Sequence, residues 1–148
     1  MPLADPPPRH GGGYDVACGY LARADSALAE ARLATEHTRR YASAHMAALR
    51  AAAAVLAVRG RPHNRRGQRN AWVLLSLVAP ELGEWAAFFA AGSAKRSAAE
   101  AGRPRAVTTR EADDLLRDAM QFVDVVERCL GLSRQQPLSY DIQPRRAG

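Results

Sequence analysis

The sequence predicts an all-α fold: an up-down four-helix bundle with a short accessory helix after the second helix. Three observations carry that expectation. Apolar residues recur at three- and four-residue steps through four long segments, the breaks between them hold helix-stop and helix-start residues, and no run alternates as a strand would. The 148 residues, 47% of them hydrophobic, suffice for one buried core and are too few for two. One domain over residues 14–130 is expected, preceded by a disordered N-terminal segment, 1–13, and followed by a mobile tail, 131–148.

The first helix is read from Tyr14 to Leu33, where Tyr14, Ala17, Cys18, Leu21, Ala24, Leu28 and Ala31 share a face. Thr35 is placed as the cap of a second helix running through Tyr41, His45, Ala48, Leu49, Ala52, Val55 and Leu56, whose alanines permit close helix approach. Gly60 and Pro62 end it. Asn70 then caps the accessory helix through Trp72 to Val78, and Pro80 marks a break or kink near Ala79. A long third helix follows to Gly102. Because Asn70–Gly102 holds both tryptophans and two of the three phenylalanines, this segment is expected to be the central element, with Leu82, Trp85, Phe88 and Phe89 buried.

Thr108 and Glu111 have the spacing of a capping box for the fourth helix. Its apolar face is Ala112, Leu115, Leu116, Ala119, Phe122, Val123, Val126 and Leu130, with Asp113, Asp114, Asp118 and Glu127 outside it and Gly131 at its end. Within the tail, Leu138, Tyr140 and Ile142 alternate in a way suited to a groove or a partner.

Composition narrows the function classes. MPLADPPPRHGGG breaks any apolar run, so no secretory signal is expected, and Glu81 and Glu84 interrupt the best candidate for a membrane span. A cytoplasmic protein with no membrane partner is the resulting expectation. Cys18 and Cys129 are neither spaced for zinc nor numerous enough for a disulfide framework, and both are read as buried thiols. The up-down topology nevertheless puts the start of the first helix and the end of the fourth at one pole, which brings the two cysteines to the same end.

The formal net charge of +6 points to phosphate-bearing partners, tempered by an abundance of Ala, Arg, Gly and Pro such as a GC-rich genome gives. Topology sorts that charge. The turn between the third and fourth helices gathers Lys95, Arg96, Arg103, Arg105 and Arg110 at one pole, to which the start of the second helix adds Arg39 and Arg40. The connection Arg59–Arg69 carries five arginines and no acid at the other. Trp72 and Trp85 can stack bases or pack the core. No glycine-rich phosphate loop, no metal-ligand cluster and no paired Glu with Glu-x-x-His is present, so no cofactor and no metal are expected.

The runs ARLATEHTRRYASAHMAALRAAAAVLAVRGRP, RNAWVLLSLVAPELGEWAAFFAAGSAKR and VTTREADDLLRDAMQFVDVVE together resemble an actinobacterial branch of the HEPN (higher eukaryotes and prokaryotes nucleotide-binding) superfamily. The resemblance covers roughly Tyr14 to Leu130. It implies a four-helix bundle, often dimeric, that either cleaves RNA without metal or has lost catalysis and binds RNA, nucleotides or proteins.

Catalytic members are known by an Arg followed four to six residues later by a His near the start of the last helix. Here that region, RPRAVTTREADDLL, has arginines and no histidine. The spacing occurs instead at Arg32 with His37, and at Arg39 or Arg40 with His45. On a regular helix Arg40 and His45 lie about 140° apart, and His45 falls on the apolar stripe between Tyr41 and Leu49, as a hydrogen-bonded core histidine would.

The resulting expectation is a non-catalytic RNA- or nucleotide-binding module, a homodimer through apolar helix faces, binding through Arg39, Arg40, Lys95, Arg96, Arg103 and Arg105. Two readings stand beside it: a metal-independent endoribonuclease using His45 with Arg39 or Arg40, and a protein-interaction adaptor whose tail engages a partner.

Overall fold

The computed structural model describes residues 12–60 and 70–132. Residues 1–11, most of the arginine-rich connection and the Leu138, Tyr140, Ile142 alternation lie outside them. The described residues are all helical, without a strand: α1 (Gly12–Leu33), α2 (His37–Arg59), α3 (Ala71–Val78), a 3₁₀ turn (Pro80–Leu82), α4 (Gly83–Ala91), α5 (Ser93–Glu100) and α6 (Thr109–Cys129). Gly12 and Gly13, assigned to the N-terminal segment from sequence, already belong to α1.

The central element is α2 rather than the tryptophan-bearing segment. Packed against α1, α3, α5 and α6, α2 buries Tyr41, His45, Val55, Leu56 and six alanines between Ala44 and Ala54. Small side chains let α1 approach along Ala17, Ala24 and Ala31, each fully buried. The sequence reading was drawn to aromatic bulk, whereas a helix surrounded on several sides needs small residues where neighbours come closest. By length and composition α2 would also serve as a membrane span, a candidate the sequence reading passed over. Its apolar surface is largely enclosed by the other helices.

Contacts at the helix ends orient the elements. At one pole Arg40 on α2 meets Asp113 on α6; at the other, Arg59 on α2 reaches Cys129 on α6, so these two helices run parallel. The three-residue link 34–36 turns α1 antiparallel to α2, and Gly13 abuts the Ala57 carbonyl. Hence the start of α1 and the end of α6 do share a pole. Cys18, however, is exposed rather than buried, Cys129 is partly buried, and both are free. Arg59 also pairs with Glu81 at 2.7 Å, and its hydrogen bond holds the Glu81 carboxyl down to about 2.

Local stop and start chemistry sets most boundaries. The Asn70 side chain accepts from the Val73 amide, and Ala79 ends α3 before Pro80 opens the 3₁₀ turn. Thr108 and Glu111 form the reciprocal capping box. Gly102, at φ +76°, closes α5 with Arg103 N–H donating to the Ala98 carbonyl and its own N–H to Ala99.

Four local expectations are corrected. Thr35 does not cap α2: Glu36 holds the N-cap position with extended backbone, φ −92° and ψ 131°, and makes no side-chain cap bond. The long third helix is two, broken at Gly92, where an added Cβ would lie 2.8 Å from the Tyr41 hydroxyl. Close passage of α2 is what the break accommodates. Glu127, placed outside the apolar face of α6, is buried at 6% exposure, and Phe88, placed inside the core, is 47% exposed.

Behind Gly92 lies an aromatic cluster. Phe89 stacks against Trp72 at 5.2 Å and meets Phe122 at 5.1 Å between ring centres, and Trp85 packs on both phenylalanines. Phe89 and Phe122 are fully buried, each worth about 1.5–3 kcal/mol of transfer free energy. Trp72, at 3% exposure, is a core residue.

Candidate nucleic-acid interface

The pole at which α2 and α6 begin gathers the basic residues singled out from sequence. Their surroundings differ sharply. Arg40 bonds the Ala31 and Ala34 carbonyls at 3.3 and 2.6 Å, and Asp113 at 2.6 Å. It therefore bonds one carbonyl in the last turn of α1 and one just beyond it, and ties that end to α6. Lys95 holds Glu111 at 2.6 Å, the same carboxylate that accepts the Thr108 amide in the capping box. That pairing raises the lysine and lowers the glutamate in pKa.

Arg96 bonds Glu100 at 2.8 Å with its side chain mostly covered. Arg110 makes only a 3.8 Å contact to Asp114 and is almost fully exposed, and Arg39 only a 3.7 Å contact to Glu30. Arg103 and Arg105 are exposed on the turn between α5 and α6, with no ion pair among the described residues. The His37 ring, 2.8 Å from the Pro104 carbonyl, fixes that turn against the start of α2. Thus two arginines project from a tethered turn while three other cations are occupied by the fold.

His45 stands apart from this surface. It is 1% exposed, its Nε2–H donates to the Phe89 carbonyl at 2.8 Å, and Nδ1 is buried with no hydrogen-bond partner. Tyr41 stacks on one side, and Trp72 and Phe89 meet it edge-on. Burial drives its pKa below the ordinary value, so the ring is neutral near pH 7. None of its contacts is shared with Arg39 or Arg40; the charges nearest enough to act on it are Arg96 and Glu100. A residue that exchanges protons with substrate must reach within hydrogen-bond distance of it, which this enclosed ring does not.

Among the described residues, cavities open at the start of α2 and between α4 and α6. One, about 280 Å³, lies at the start of α2 and is lined by Glu30, Glu36, Thr38, Arg39, Ser43 and Glu100 among others. The sequence reading missed it because its walls come from three helices and Thr38 carries no motif. The other, about 340 Å³, lies between α4 and α6 beside Glu84, Trp85, Phe88 and Asp118. Among the described residues no group of three or more His, Cys, Asp and Glu side chains could hold a metal ion, and Asp113, Asp114 and Asp118 pair with or face arginines instead.

Neither a search of curated proteins nor one of solved structures returns a match. A family model described as HEPN_SAV_6107-like HEPN matches residues 31–127, from the end of α1 to the last turn of α6 and about two thirds of the chain. The chain belongs to the SAV_6107-like HEPN family, within the HEPN superfamily of nucleotide- and RNA-related helical domains.

Proposed function

We propose that this chain is a non-catalytic HEPN module that binds RNA or a nucleotide at the pole where α2 and α6 begin. The observation that carries the reading is the contrast between Arg103 and Arg105, exposed without ion pairs on a tethered turn, and His45, enclosed with its Nε2–H committed to Phe89. Exposed guanidinium groups gain from counterion release on meeting phosphates. Arg39 and Arg110, each with a single long contact, extend the surface; Lys95, Arg96 and Arg40 add field while their carboxylate contacts hold the fold. The up-down four-helix arrangement, with α3 as the accessory helix, orients this pole. The exposed apolar side chains Val73, Leu77 and Phe88 suit association into a homodimer.

RNA binding and cleavage measured together in chelator, for wild type, His45→Ala and Arg103→Ala/Arg105→Ala, test the reading. Binding without cleavage, weakened by salt and by the arginine substitutions, is the expected result. Cleavage abolished by His45→Ala in a variant that keeps its helicity would replace it with the endoribonuclease reading. Neither binding nor cleavage would replace it with the adaptor reading.

A further inference from the structure

We propose that the groove between α4 and α6 seats a segment of this same chain, residues 138–142, with Tyr140 against Trp85 and Phe88. The inference is independent of the RNA reading, since none of these residues belongs to the basic pole. Three contacts set the course of the groove. Cys129, at the end of α6, bonds Glu81 just ahead of α4; Phe122 meets Trp85 midway; and Glu111, in the first turn of α6, bonds Lys95 just beyond α4. The two helices therefore run antiparallel, and a cavity of about 340 Å³ opens between them.

Its lining is apolar with an acidic rim. Phe88 is exposed and Trp85 partly buried, Glu84 and Asp118 supply carboxylates, and no base lines the cavity among the described residues. Open aromatic surface rimmed by polar groups is the usual form of a recognition site. Glu84 makes no salt bridge among the described residues, and Arg117, the cation facing Asp118, bonds Asp114 at 2.7 Å. Burial pushes the Asp118 carboxyl up. The groove thus suits an occupant with apolar side chains on one face and positive charge beside them.

Position, length and charge select that occupant. After α6 the chain turns at Gly131, φ +68°, with Leu132 N–H bonded to the Glu127 carbonyl and Gly131 N–H to the Arg128 carbonyl. It therefore leaves the α6 axis at the Cys129 and Glu81 end of the groove, with Leu132 packed on the core. From Leu132, Asp118 lies about 20 Å back along α6. Extended chain advances about 3.3 Å per residue, which carries Tyr140 as far as about 26 Å from Leu132. Pro137 and Pro144 bracket the segment and disfavour helix in the residue before each, and on an extended chain Leu138, Tyr140 and Ile142 share one face. Residues 133–148 carry Arg134, Arg145 and Arg146 against Asp141, the complement of the acidic rim. A second copy offers the same segment, but a short tether gives an effective concentration on the order of millimolar, so at micromolar protein the chain's own segment fills the groove.

Photo-crosslinking of the full chain tests this, with benzoylphenylalanine in place of Tyr140 and an equal mixture of unlabelled and nitrogen-15-labelled protein at micromolar concentration. The expected major adduct joins position 140 to Glu84, Trp85 or Phe88, or to α6 beside Asp118, within one isotopic class. Glu84→Gln/Asp118→Asn should cut its yield about threefold. Tryptophan emission supplies a second measurement on an otherwise native chain: Tyr140→Ala should shift it to the red as Trp85 gains water, over a fixed background from the enclosed Trp72. Adducts of mixed isotope would put a second copy's segment in the groove and overturn the inference. Adducts confined to other faces, or none, with tryptophan emission unchanged in Tyr140→Ala, would overturn it as well and leave the groove to a different partner.

Discussion

Arg40 and Arg103 belong to the same basic pole, yet one is part of the scaffold and the other part of the surface. Arg40 reaches back to the Ala31 carbonyl of α1 and the Ala34 carbonyl just after it, and forward to Asp113, so its guanidinium is consumed by the packing of three helices. Arg103 uses its backbone amide to close α5 and leaves its side chain in solvent. Counting arginines at a pole therefore overstates its capacity for phosphate. What matters is whether a carboxylate or a buried carbonyl already holds the charge.

The largest stability effect expected from breaking this contrast is Arg40→Ala. It should cost about 2 kcal/mol, because the carbonyls at the end of α1 lose their donor and Asp113 its cation. Thermal unfolding should show a clear fall in Tm, while RNA affinity per folded molecule stays within a factor of about three. A larger loss of affinity at unchanged Tm would put Arg40 on the binding surface.

Arg103→Ala/Arg105→Ala should do the reverse: a stability change within about 0.5 kcal/mol, with the salt slope of RNA binding reduced by about 1.4. Affinity measured across a salt series decides this; an unchanged slope would remove both residues from the interface. Between these extremes lies Thr108→Ala, which removes a cap and should cost about 1 kcal/mol in denaturant unfolding. Lys95→Ala, breaking an exposed pair, should cost less than about 1 kcal/mol.

His45 sharpens the comparison through pH. Its folded pKa lies below the ordinary 6.5, so the neutral ring stabilises the fold fully above that value. As pH falls below it the unfolded chain takes up a proton that the folded chain refuses, and stability declines by at most about 1.4 kcal/mol per pH unit. His45→Gln keeps an N–H for the Phe89 carbonyl but does not titrate. Between pH 7.5 and 5 its Tm should fall less than that of wild type. Parallel curves would mean that the ring is protonated as readily in the fold as outside it.

Much of the local structure was legible in the residues. Asn70, Pro80, Gly102 and the Thr108 and Glu111 pair act within a few residues of themselves, so their sequence spacing suffices to place the ends they control. The candidate site was legible only as a location. Arg103 and Arg105 sit in a turn that the helix boundaries define, whereas the cavity beside Thr38 needs α1, α2 and α5 brought together before it exists.

By itself the sequence determined the helical class, most helix boundaries, the apolar face of α6 and the pole to which the arginines come, because each depends on local periodicity and capping. Tertiary structure alone decided that α2 is the central helix, that Gly92 breaks the third helix where Tyr41 passes, and that His45 turns its Nε2–H to Phe89. It also decided which cations are paired. Those outcomes depend on close approach and on carboxylates or carbonyls many residues away, up to 73 for Arg40 and Asp113, and no spacing along the chain encodes them.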